Sequence, residues 1–71
     1  MNIPKEHIKL DQFLKLQQIV QSGGEAKLLI RNGEISVNGE PELRRGRKLY
    51  PGDRITIDNQ TFVVEAPDLE L

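Results

Sequence analysis

The chain has no cysteine and no tryptophan, one tyrosine, two phenylalanines and one histidine among 71 residues. Without cysteine there is no disulfide framework, no thiolate nucleophile and no thiolate metal site, and a reducing compartment is the expected setting. A single histidine, His7, cannot build the cluster of nitrogen, sulfur or oxygen ligands that a zinc site requires. No run is long and apolar enough for a transmembrane helix, and the opening MNIPKEHIKL has no apolar stretch of the signal-peptide kind. These absences predict a cytoplasmic protein that meets no membrane. The glycines do not form a phosphate-cradling loop: SGGEAK lacks the Gly-Lys-Ser/Thr ending and follows no apolar strand. No serine has an evident base beside it, and no carboxylates are paired as an acid–base dyad. A chain this short has little room to enclose a substrate. We expect no catalytic residues, no metal and no cofactor.

What is present is charge, unevenly placed. The formal net charge is −1, yet RRGRK puts four positive groups, Arg44, Arg45, Arg47 and Lys48, into five residues. Residues 58–71 hold Asp58, Glu65, Asp68 and Glu70 and no basic group. Screening at physiological salt confines each charge to about 8 Å, so distribution counts for more than the sum.

Periodicity supplies the frame. Asp11 suits the first turn or the cap of a helix, and Leu10, Phe13, Leu14, Ile19 and Val20 mostly keep helical spacing as far as the Ser22-Gly23-Gly24 break. Ser22 with Glu25 fits a capping box for a second helix. Ala26, Leu29 and Ile30 form its apolar face, and Gly33 is placed to end it in the left-handed conformation. The two helices are predicted to pack as a hairpin. The period then changes to two. Ile35 and Val37 point one way before the Asn38-Gly39 turn, Pro51-Gly52 suits a type II turn, and RITID and TFVVE read as strands joined at 58–60. Residues 8–10 offer an early strand. Core positions are Ile55, Ile57, Phe62 and Val64. The fold class is α+β, two antiparallel helices on a small, mostly antiparallel sheet. It is one domain over 1–71, with a core of about 8–65 and an acidic tail at 66–71 that should fray.

Lys27 and Arg31 stand four apart and share a helix face. With Arg44, Arg45 and Lys48 they would form one electropositive surface if the sheet lies beside that helix. A solvated loop is the competing reading of RRGRK. Two details favour binding: arginine makes bidentate contacts to phosphate, and Gly46 lets the backbone bend or come close to one. With so few aromatics, stacking of bases over a sheet is not the expected mode, and Tyr50 reads equally as a half-buried sheet residue. Recognition is expected to be of phosphate backbone and RNA shape.

The ordered combination LDQFLKL, SGGEAKLLIRNGEISVNGE and RRGRKLYPGDRI resembles the S4 RNA-binding domain, and within it the small stand-alone bacterial S4 proteins. The resemblance covers about Ile8 to Ile57. It implies the αL motif, two helices against a small bent sheet. It also implies non-catalytic binding of structured RNA, ribosomal or of transfer-RNA type, as in ribosomal protein S4, pseudouridine synthases and tyrosyl-tRNA synthetase. The expected RNA contacts are Lys27, Arg31, Arg44, Arg45, Arg47 and Lys48, in a monomer with the ribosome as a partner. Gly23 departs from the family pattern, which often has a basic residue there, so a usual phosphate contact is absent. A protein-interaction adaptor on the same frame, docking through a sheet edge or the acidic tail, is the alternative.

Overall fold

Residues 7–65 are described in the structure, a computed structural model; the acidic tail falls outside them. The elements run β1 (Ile8–Lys9), α1 (Leu10–Leu16), α2 (Gly23–Arg31), β2 (Ser36–Val37), β3 (Glu40–Pro41), β4 (Lys48–Leu49), β5 (Arg54–Ile57) and β6 (Gln60–Val63). Four strands form an antiparallel sheet in the order β3-β2-β5-β6, and β1 pairs with β4 in a separate antiparallel ladder. The α+β architecture read from the pattern is the observed one.

Most apolar residues of these elements face inward, although Leu28 on α2 and Val63 on β6 stay exposed. Phe13 and Leu14 from α1, Ala26 and Ile30 from α2, and Ile35, Val37, Ile55, Ile57 and Val64 from the sheet region are buried in one cluster. Ile8 and Leu49, opposite each other in the β1–β4 ladder, join the same cluster. Phe62, across from Ile55, is only partly buried against it. Along β5 the period-two pattern is strict: Ile55 and Ile57 are buried, and Arg54 and Thr56 face outward.

The first helix is shorter than its hydrophobic spacing predicts. It stops at Leu16 because Gln18 takes a left-handed conformation, φ 61°. The Ile19 N–H then donates to the Leu14 carbonyl (3.0 Å) and the Gln18 N–H to the Lys15 carbonyl (3.0 Å), the paired bonds of a Schellman motif. Ile19 and Val20 therefore reach the core from beyond the helix. The second helix ends the same way, with Gly33 at φ 76° and the Glu34 N–H on the Leu29 carbonyl. At its start the Ser22 hydroxyl accepts from the Glu25 N–H (3.2 Å). The reciprocal bond of the expected capping box is displaced: the Glu25 carboxylate accepts from Gln21, not from Ser22.

Two hairpins turn on residue pairs with positive φ, Asn38-Gly39 and Asp58-Asn59, the backbone of type I′ turns. Gln60, expected in the second turn, is the first residue of β6. The Pro51-Gly52 turn has Gly52 at φ 95° and closes with the Asp53 N–H on the Tyr50 carbonyl (3.0 Å), as a type II turn requires. Asn38 ties the first hairpin to this turn. Its amide donates to Asp53 Oδ1 (3.2 Å) and its carbonyl Oδ1 accepts from the Arg54 N–H (3.0 Å).

Gln18 bears a cost that glycine would not, about 1–2 kcal/mol for a left-handed residue with a side chain. Part of the gain returns through the greater freedom of glycine in the unfolded chain. Gln18→Gly is therefore expected to stabilise the domain by about 0.5–1 kcal/mol. Urea denaturation should show a higher midpoint with an unchanged slope.

Candidate nucleic-acid interface

The basic loop begins where the chain leaves β3. Glu42 donates its N–H to the Ile35 carbonyl (3.0 Å), which pins it beside the sheet, and its side chain turns inward. The residue is 6% exposed, the one buried charged residue among those described. A carboxylate in such a place is costly unless it is paired and hydrogen-bonded. Here Arg44 Nε donates to Oε2 (2.9 Å), Arg44 Nη2 to Oε1 (3.3 Å), Arg47 Nη1 to Oε1 (2.6 Å), and the Arg44 backbone N–H to Oε2 (3.1 Å). Both oxygens are thus doubly served. The Arg44 side-chain bonds, helped by Arg47 and the Arg44 N–H, hold the carboxyl down at about 2 from an ordinary 4.5, against the opposing effect of burial.

The two arginines are used differently. Arg47 is drawn in, its side chain 33% exposed, whereas Arg44 keeps 73% of its side chain in solvent while it grips Glu42. The loop between them is a turn centred on Arg45-Gly46, closed by the Arg47 N–H on the Arg44 carbonyl (3.3 Å). Its other side is held by α1. The Leu10 N–H donates to the Arg47 carbonyl (2.9 Å) and the Asp11 N–H to the Arg45 carbonyl (3.2 Å). Amides of the helix's first turn, which have no partner inside the helix, are satisfied by the loop's backbone. Lys9, not Asp11, is the cap residue; its N–H is taken by Gln12 Oε1 (3.2 Å).

The β1–β4 ladder adds a further cation. Lys9 lies directly across from Lys48 in the register, both exposed, while their neighbours Ile8 and Leu49 are buried. Opposed residues of an antiparallel pair project to the same side about 5 Å apart, and like charges so placed repel. Lys9, Lys48 and Arg45 make no ion pair among the described residues. The local cations are Lys9, Arg44, Arg45, Arg47 and Lys48; the nearby carboxylates are buried Glu42 and, on the flanking backbone, Asp11 and Asp53.

A family model described as S4 domain matches residues 1–65. The chain belongs to the S4 domain family. It is 52% identical over 58 residues, 82% of each chain, to the protein named probable ribosome maturation protein RlbA of Bacillus subtilis (strain 168). It is 32% identical over 60 residues to the protein named putative RNA-binding protein YbcJ of Escherichia coli (strain K12), covering 84% of this chain and 86% of that one. The fold matches that of heat shock protein 15 of Vibrio cholerae, solved as a trimer, with a TM-score of 0.73 at 20% identity. That match covers 84% of this chain and 64% of the other.

Of the residues singled out in the S4 frame, the structure gathers Arg44, Arg47 and Lys48 around one concavity, together with Gly46 and Tyr50. Arg45 sits at the tip of the same turn. Lys27 and Arg31 are exposed on α2, flanking the buried stripe of Ala26 and Ile30. No hydrogen bond or ion pair among the described residues joins them to the loop, which is fastened to α1, β1 and Glu42. Tyr50 is not a strand residue; it follows β4 and opens the Pro51-Gly52 turn. Lys9 carries no mark in the sequence, and Glu42 only a faint one. Lys9 becomes visible only through the pairing of β1 with β4. Glu42 has as its one signal an acid placed two and five residues ahead of two arginines.

Because the Glu42 carboxyl is lowered on folding, its contribution is complete above the unfolded value near 4.5 and is lost as pH falls through about 2. Arg44, the main partner, keeps 73% of its side chain in solvent, so screening reduces the stability this represents to about 1–2 kcal/mol. Glu42→Gln should lose about that much at pH 7, and the gap to the wild type should close as pH falls from 4.5 towards 2. Urea unfolding of both proteins across that range measures it.

Proposed function

We propose that this chain is a non-catalytic module that binds structured RNA, of ribosomal or transfer-RNA type, along its phosphate backbone, as a cytoplasmic monomer. The observation that carries this reading is the fixed cationic loop. Five basic groups stand around a turn whose backbone is held by α1 and whose base is held by Glu42, so little order has to be gained on binding. Among the described residues, Arg45, Lys48 and Lys9 make no ion pair. The Lys9–Lys48 opposition is a cost in the free protein that a phosphate placed between the two ammonium groups would remove. The relatives' names, one for ribosome maturation and one for RNA binding, favour RNA and the ribosome as partners. Membership of the S4 domain family favours binding over catalysis.

Arg45, Lys48 and Lys9 are the principal phosphate contacts in this reading. Arg44 contributes the solvent-facing part of a guanidinium already bound to Glu42, and Arg47 acts mainly in holding the loop. Lys27 and Arg31 supply a second, separate contact on α2, which offsets the absence of a basic residue at Gly23.

The test separates stability from binding. Lys9→Gln and Lys48→Gln each relieve the opposed charges, so each variant should match or exceed the wild type in stability by a few tenths of a kcal/mol. Both should bind RNA more weakly, with the slope of log affinity against log salt reduced by about one for each lost phosphate contact. Thermal unfolding and titration of ribosomal RNA fragments at several salt concentrations supply the two readouts. Unchanged affinity in Lys9→Gln, Lys48→Gln and Arg45→Ala would remove the loop from the interface. A variant stripped of Arg44 and Arg47 would leave the buried Glu42 unpaired and confuse loss of contact with loss of the loop.

A further inference from the structure

The basic loop is not bare. Arg44, Gly46, Arg47 and Lys48 border a concavity of about 560 Å³ whose remaining wall is Tyr50. That volume is within the range of small-ligand sites. Tyr50 is the chain's single tyrosine and there is no tryptophan, so the aromatic surface most suited to stacking is spent at the edge of the cationic turn. Leu49 beside it is fully buried, whereas Tyr50 keeps 37% of its surface open.

The residue is also held in place. Its N–H donates to Asp53 Oδ2 (2.8 Å) and its carbonyl accepts from the Asp53 N–H (3.0 Å). The other Asp53 oxygen takes the Asn38 amide, so the turn that carries the ring is braced from the neighbouring hairpin. The His7 ring stands 6.0 Å away, tilted by 53°.

We infer that this concavity is a pocket for one unstacked nucleotide of RNA, its base against the Tyr50 ring and its phosphate on Lys48 and Arg44. This rests on the RNA-binding reading and narrows it. A duplex presents phosphates but keeps its bases stacked inside, and it has no use for an open ring among the cations. An extruded or single-stranded nucleotide carries both chemistries within its own length, an anion and a flat aromatic surface. RNA-binding proteins take such nucleotides by stacking on aromatic side chains. The scarcity of aromatics excludes a sheet-wide stacking platform and leaves room for one base. Gly46 in the pocket wall offers no side chain to the approaching sugar and phosphate. The preferred ligand is therefore structured RNA with a bulge or loop nucleotide.

Because Tyr50 is the only strongly fluorescent side chain, its emission reports on the pocket itself. The wild-type chain is titrated with a labelled RNA hairpin carrying a single-nucleotide bulge and with the same hairpin fully paired. Label anisotropy measures binding, and tyrosine emission, corrected against free tyrosine for absorption by RNA, measures stacking. The bulged hairpin should bind more tightly and quench the emission, and the paired hairpin should bind without quenching. Tyr50→Ala should weaken binding of the bulged hairpin about tenfold, leave the paired hairpin nearly unaffected, and keep the salt slope. Tyr50→Phe should retain the preference. Binding of both hairpins without quenching, or an equal loss on both in Tyr50→Ala, overturns the nucleotide pocket while the RNA-binding reading stands. If the wild type binds neither hairpin at low salt, both fail.

Discussion

The cationic loop of the candidate binding face depends on one buried carboxylate. Glu42 sits where a small core could ill tolerate an uncompensated charge, and the chain solves this by folding two nearby arginines back onto it. The ion pairs hold the base of the loop on both sides of the turn and differ in exposure, Arg44 looking outward and Arg47 not. Replacing the cluster by apolar groups of equal volume would cost such a protein little in stability. What the carboxylate supplies is geometry: a basic loop whose own charges repel, held in one conformation.

The loop and the first helix are equally bound to each other. A helix of seven residues is too short to persist alone, and α1 lacks the serine or aspartate that usually caps a start. The carbonyls of Arg45 and Arg47 serve instead. The ladder of β1 with β4 then sets Ile8 and Leu49 into the core and leaves two lysines facing each other outside. Helix, loop and ladder form one unit, with its apolar side in the core and its polar side directed to solvent.

Much of this architecture was legible in the chain. Gly33, Asn38-Gly39 and Pro51-Gly52 mark their turns because few other residues adopt those conformations cheaply, and the alternation through Ile55 and Ile57 marks β5. The end of α1 was not legible, since glutamine is not a residue that announces a left-handed turn; packing of Ile19 and Val20 into the core overrides its preference. For the site, the cations were visible as a run, but their division of labour was not. Which arginine is structural depends on Glu42 being buried, and that depends on the backbone bond to Ile35. Lys9 was hidden because it joins the surface through a strand pairing between distant parts of the sequence. Lys27 and Arg31 share the expected helix face, yet no bond or ion pair links that face to the loop.

The pairing of β1 with β4 has a consequence for when the surface exists. The two strands come from opposite sides of the helical hairpin, so the ladder closes a long stretch of chain. Contacts this far apart in sequence are entropically expensive and are made only when others support them. During synthesis the first helix emerges well before Leu49, and until then it has neither its cap nor the lysine opposite Lys9. The cationic face is thus a property of the finished domain, and an incomplete chain has the charges without the arrangement.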